Sequence, residues 1–135
     1  MRKATLNRKQ PRKRGEYFEG IAAEFLQRQG LIILARNFAC RQGEIDLICQ
    51  HGASCDIKSS TTLPTLVFVE VKYRQYTHYG GAISAIPVAK QRKLRYTAQY
   101  YMVRHGINEN YTPCRFDVIA IEGCSDNIQW ITNAF

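Results

Sequence analysis

The chain has no apolar run approaching the ~20 residues needed to cross a bilayer, so no membrane helix is expected. It has no CxxC pair, and its five cysteines (Cys40, Cys49, Cys55, Cys114 and Cys124) are an odd number. Neither a disulfide framework nor a zinc ribbon is indicated; reduced thiols in a cytosolic protein are the expectation. Residues 1–17 lack the apolar segment of a secretory signal and the amphipathic face of a transit peptide. Acidic side chains are missing from two stretches. Residues 1–14 carry seven Lys/Arg and no Asp or Glu, and residues 71–108 repeat that balance. Five basic residues and all eleven acids fill the rest, for a net charge of +8. A basic stripe beside an acidic cluster suits a polyanionic partner and a cation at the reaction centre.

What is there fits one domain of 135 residues and 15.5 kDa, with 45% apolar and 22% charged residues. Residues 1–14 read as a basic flexible tail and 15–135 as a single domain. Phe18, Ile21, Ala22 and Phe25 recur at helical spacing and predict a helix from Gly15 to Gln29, ended by Gly30. Strands are expected over 31–38, Glu44–Cys49, Leu66–Lys72, Phe116–Ile121 and Ile128–Ile131. The VFVEVK run reads as a central strand covered on both faces. Residues 50–64 read as a long connection between antiparallel strands, and 73–86 as a glycine-containing loop. A second helix is expected from Pro87 to about Arg104, buried through Leu94, Ala98, Tyr101 and Met102. The expected class is α/β, a mixed central sheet flanked by helices.

Four acids stand at telling places. Glu24 flanks the first apolar stripe. Glu44 and Asp46 lie two apart on one strand and share a face, as do Glu70 and Lys72 on another. If the second and third strands pair, Asp46 and Glu70 converge. Carboxylates brought together in an apolar setting must be paired, neutralised or bound to a metal. A hard divalent cation, Mg²⁺ or Mn²⁺, answers both problems with oxygen ligands. Lys72 beside it is placed to orient a water and to stabilise phosphate charge. Taken singly, each of these acids reads as an ordinary surface ion pair; their order and setting make the pattern.

The segments GIAAEFLQRQGLIILARNF, GEIDLI, VFVEVKYR, YGGA, KQRKL, CRFDVIAI and IQWITNAF, together running from Gly15 to Phe135, closely resemble the YraN family of small bacterial proteins. That family looks like part of the PD-(D/E)XK, or restriction-endonuclease-like, nuclease superfamily, and is similar in motif layout to Holliday-junction resolvases. The resemblance implies a restriction-endonuclease-like core. It implies Asp46 and Glu70 as main metal ligands, assisted by the Val71 carbonyl, with Glu24 as the helix acid. It also implies Lys72 as the catalytic lysine and Gln91 as a helix residue supporting the site. The superfamily's Pro-Asp dipeptide is absent, since Ile45 precedes Asp46.

Arg74, Lys90, Arg92, Lys93 and Arg95 are placed to track a phosphate backbone, with a solvated basic face as the alternative. Tyr73, Tyr76 and Tyr79 are candidates for base stacking, with loop packing the commoner outcome. Asp117 is expected to pair with Arg115 on one strand face. The three histidines share no ligand spacing, and Trp130 reads as core or dimer surface. The functional expectation is a metal-dependent nuclease cutting DNA, branched or damaged structures included; a homodimer is suggested only by analogy with two-fold junction enzymes, since the sequence does not give the oligomeric state. The rivals are a non-catalytic nucleic-acid-binding or assembly module on the same fold and a nuclease acting on RNA.

Overall fold

A computed structural model describes residues 11–52, 63–75 and 86–135. The element order is α1 (Pro11–Arg28), β1 (Ile32–Cys40), β2 (Gly43–His51), β3 (Thr65–Arg74), α2 (Val88–Arg104), β4 (Cys114–Glu122) and β5 (Ile128–Ile131). Each strand lies where the sequence puts it, most of them one to three residues longer at an end. Tyr76, His78, Tyr79, the YGGA segment and Cys55 fall outside the described residues, as do residues 1–10 of the expected tail. Residues 11–14 belong to α1, which begins four residues before the expected Gly15. Pro11 suits a first helical position, because the amide it lacks would have no intrahelical acceptor there.

Both helices end on a left-handed glycine. At Gly30 (φ 90°) the Leu31 amide donates to the Leu26 carbonyl, and the Gly30 amide to that of Gln27. At Gly106 (φ 66°) the amides of Ile107 and Gly106 repeat the pattern on Met102 and Val103. These paired bonds satisfy carbonyls the helix cannot, and the backbone they require carries little penalty only without a Cβ.

The five strands form one mixed sheet in the order β1-β2-β3-β4-β5. β1 and β2 are an antiparallel hairpin closed by Arg41 and Gln42. β2 and β3 are antiparallel, β3 and β4 parallel across α2, and β4 and β5 antiparallel. This α/β architecture is consistent with a restriction-endonuclease-like core.

Two apolar layers hold the helices to opposite faces. On one side Phe18, Ala22, Ala23 and Leu26 of α1 pack on Leu47, Val67, Val69 and Ile119. On the other, Leu94, Ala98, Tyr101 and Met102 of α2 pack on Ile48, Phe68 and Val118. β3 is therefore covered on both faces, and Leu66–Glu70 are all buried. Of the candidate stacking tyrosines, Tyr73 packs inward on the α1 layer, its ring 3.7 Å from that of Phe18 and 5.0 Å from the Arg14 guanidinium. Among the described residues no helix is long and apolar enough to cross a membrane.

Candidate metal and catalytic site

The β2–β3 ladder runs from His51↔Thr65 to Leu47↔Val69 and stops there. One step further, where Asp46 would face Glu70, the strands part. The Asp46 carboxylate takes over the role of the missing ladder partner: the Val71 amide donates to its Oδ2 at 2.8 Å. An extended residue turns its N–H and C=O to the same edge. The Val71 carbonyl therefore faces the same gap.

β1 and β2 also change the aim of their side chains here. Ala35 and Phe38, three apart, both pack on the α2 layer, and so do Ile45 and Ile48 across from them. Strict alternation would send one of each pair to the other face. The break falls between the pairs Arg36↔Leu47 and Phe38↔Ile45, at Asn37, whose φ is 51°. Asparagine tolerates that left-handed backbone better than most side-chain-bearing residues. The effect is that Asp46 sits where both layers meet, within reach of both helices.

From the α1 side, Glu19 hydrogen-bonds Asp46 and Asn37. The Glu70 carboxyl is within hydrogen-bond reach of Asp46 from β3. From the α2 side, the Lys90 ammonium closes an ion pair on Glu70. A cleft of about 520 Å³ opens between the sheet and α2, lined by Gly43, Glu44, Asp46, Glu70, Lys90 and Lys93 among others. Gly43 permits the close approach of α2: a Cβ there would come within 3.1 Å of the Thr97 hydroxyl. That hydroxyl is already held, donating to the Lys93 carbonyl at 2.8 Å.

The electrostatics follow from this crowding. Burial pushes Glu70 up to about 7, helped by the charge of Asp46 and opposed by Lys90. Burial also pushes Asp46 up to about 6, opposed by the Val71 amide and reinforced by Glu19. Glu19 itself is raised, first by burial. Lys72, on the face of Glu70, is lowered by burial and then by Arg74 and Lys90. These acids resist ionisation together unless positive charge enters.

Among the described residues no three His, Cys, Asp or Glu side chains converge as a metal-holding group. The side-chain ligand set on offer is the Asp46–Glu70 pair, with the Val71 carbonyl beside it. All donors are oxygens and both carboxyls are disfavoured as bare anions, a donor chemistry that fits a hard divalent cation keeping several waters.

The structure gathers Asp46, Glu70, Val71 and Lys72 as the sequence led us to expect. It separates Glu24 from them. That side chain is exposed and bonds Arg28 at 2.6 Å, beside Ile128 and Asp126. Glu19 holds the position expected of Glu24. The two are five residues apart, about 140° around the helix axis at 3.6 residues per turn. The signal was present: Glu19, Ala22, Ala23 and Leu26 follow the i, i+3, i+4, i+7 spacing of the buried stripe, and Glu24 does not. Gln91 does not line the cleft; its amide donates to the Ile86 carbonyl at 2.8 Å, just before α2. Lys90, expected on the nucleic-acid surface, is instead in the site. Lys93 lines the cleft, Arg92 and Arg74 are exposed, and Arg95 turns away towards Phe116 and Phe135.

A second polar cluster lies below α1. Asp117 is fully buried and accepts from Arg115 Nε at 3.1 Å, Trp130 Nε1 at 2.9 Å and the Asn133 amide at 2.9 Å. Arg115 continues to His51 Nδ1 at 2.9 Å. The expected Arg115–Asp117 pair is therefore present, and it ties β4, β5 and the last residues together. Nearby, burial pushes the Cys49 thiol up to about 12, reinforced by Asp117. Such a thiol is a core side chain of low reactivity.

Residues 18–121 match the model of a family described as Uncharacterised protein family UPF0102. Similar relatives include a UPF0102 protein of Aeromonas hydrophila subsp. hydrophila, 46% identical over 90% of this chain and 84% of its own. A UPF0102 protein of Colwellia psychrerythraea is 44% identical over 90% of this chain and 88% of its own. One of Pseudomonas fluorescens is 43% identical over 90% and 91%.

Proposed function

We propose, for a chain that belongs to the UPF0102 family (the YraN family of the sequence resemblance), that it is a metal-dependent nuclease hydrolysing phosphodiester bonds in DNA. The observation that carries this reading is the meeting of Asp46 and Glu70 where β2 and β3 part, with Val71 and Lys72 on the same strand end. A bound Mg²⁺ or Mn²⁺ supplies charge neutralisation and a more acidic water. The chain's own groups do the rest. Glu19 fixes the aim of Asp46. Lys72, whose ammonium is disfavoured by burial, is suited to orient the attacking water and to meet charge growing on the phosphate oxygens. Lys90 and Lys93, on the other wall of the cleft, hold the phosphate. Arg92 and Arg74 extend positive charge from the cleft along the path of a strand.

A second reading is a non-catalytic nucleic-acid-binding module. The ion pair that Lys90 closes on Glu70 favours it, because it satisfies the buried acid without a cation. One experiment separates the two. Linear, branched, single-stranded DNA and RNA are incubated with the protein in Mg²⁺, Mn²⁺ or EDTA. The nuclease reading expects DNA cutting that needs metal and vanishes in folded Asp46→Asn and Glu70→Gln proteins. Salt-sensitive binding with no cutting under any condition supports the module.

A further inference from the structure

A second cavity, of about 510 Å³, opens on the α2 side of the sheet between the C-terminal half of α2 and the start of β4. We propose that it is a subsite for one unpaired base of the DNA strand held at the Asp46–Glu70 pair, an inference that rests on the reading above.

Its wall is a layered stack. The Phe68 and Phe116 rings lie 5.4 Å apart at 28°, and Phe116 and Phe135 lie 4.8 Å apart at 25°. The Arg95 guanidinium lies 5.3 Å from the centre of the middle ring, Phe116, and 5.4 Å from that of Phe135. Near-parallel rings ending at an open cavity offer a flat surface to another flat group, and a guanidinium adds affinity for a π face. Gln99, Asn110 and Asn133 stand on the rim, where amides can meet the donor and acceptor edge of a base. Among the described residues Glu109 is the one acid lining the cavity, with Arg95 as the cation that faces it, since the Arg115 guanidinium is taken up by Asp117.

The platform is fixed before any ligand arrives. The Asn133 backbone N–H donates to buried Asp117 at 2.9 Å, and the Ala134 backbone N–H donates to the Phe116 carbonyl at 2.7 Å. Those two bonds set Phe135 over Phe116. A surface ordered in advance loses less entropy on binding. The volume lies within the range of small-ligand sites and accommodates one nucleotide.

Placement relative to the carboxylates selects the occupant. Phe68 lies two residues before Glu70 on β3 and on the same face, a rise of about 7 Å. That is roughly two stacked-base steps at about 3.4 Å each. The ring at the open end, Phe135, lies two ring layers (5.4 and 4.8 Å) beyond buried Phe68 and on the other flank of α2 from Lys90 and Lys93, so a strand whose phosphate rests at Glu70 reaches it with a base further along and not with the adjacent one. A duplex keeps its bases stacked inside, so the subsite selects strands with an unpaired or extruded base.

The test uses the full chain in EDTA, so that nothing is cut, and an oligonucleotide carrying 2-aminopurine in a single-stranded or bulged position. Binding to the wild type is expected to quench the probe. Phe135→Ala, confirmed folded by circular dichroism, is expected to lose about fivefold or more in affinity and most of the quench, with an unchanged salt slope. Arg95→Met serves as the second variant, with the same direction. Equal affinity and equal quench in both folded variants overturn the subsite. Free dAMP is expected not to displace the oligonucleotide at millimolar concentration; saturation by dAMP at micromolar concentration overturns the assignment to a strand. Metal-dependent cutting lost in Asp46→Asn, with no effect of Phe135→Ala, sinks the subsite and leaves the nuclease reading intact. Failure of every DNA to bind sinks both.

Discussion

Lys90 of α2 closes an ion pair on Glu70 of β3, and Glu70 is one of the two carboxylates that the site offers to a metal. A lysine and a divalent cation compete for one acid.

Removing that lysine should therefore tighten metal binding in the absence of DNA. Lys90→Gln is expected to bind Mn²⁺ several-fold more tightly by calorimetry, since each tenfold corresponds to about 1.4 kcal/mol. In DNA binding the same variant should lower the salt slope by about one, the signature of a lost phosphate contact. Unchanged Mn²⁺ affinity would show that Lys90 does not compete.

Stability against pH tests the crowded acids. Asp46 at about 6 and Glu70 at about 7 lie above ordinary carboxyl values, so between about pH 4 and 7 the folded state binds more protons than the unfolded one. Metal-free protein should lose stability as pH rises through that window, by an amount on the order of a few kcal/mol. Thermal melts from pH 4.5 to 8 should show the decline. Asp46→Asn should flatten it and raise the melting temperature at pH 8, even as cutting is abolished. Saturating Mg²⁺ or Mn²⁺ should flatten it in the wild type.

Two glutamates on one helix separate geometry from composition. Glu19→Gln should slow cutting at least tenfold, because it weakens the hold on Asp46. Glu24→Gln removes only an exposed pair with Arg28, and should leave activity within twofold and stability within about 0.5 kcal/mol. Equal losses in single-turnover assays would place the helix acid elsewhere.

How much of this was legible in the chain depends on how local each signal is. The strands carry period-two and doubly apolar patterns that need no partner to be read, and Asp46 and Glu70 follow from them because register sets which residues face each other. Glu19 was passed over because the expected stripe was centred on Ile21 and Phe25, which the fold leaves half-buried, and not on Ala23 and Leu26. Lys90 and Gln91 are neighbours on α2, and the phase of the buried stripe decides between them: Leu94, Thr97 and Tyr101 follow Lys90 at i+4, i+7 and i+11. Gly43 leaves room for Thr97 there, a close approach 54 residues apart in sequence that no periodicity reports.

The buried cluster at Asp117 should matter first for stability. Arg115→Met leaves a fully buried carboxylate with its Trp130 and Asn133 partners but no cation. A loss of roughly 3–5 kcal/mol in urea unfolding is expected.

The left-handed Asn37 has a consequence for how this hairpin can vary. Because it re-aims both strands at one level, the count of residues from there around the Arg41–Gln42 tip to Asp46 fixes which layer receives the acid. One residue added or removed would let the hairpin close and the sheet form, yet rotate the carboxyl out of the gap. Spacing in this arm is a quantised parameter: its side chains can be exchanged singly, but its length cannot change by one without moving the acid.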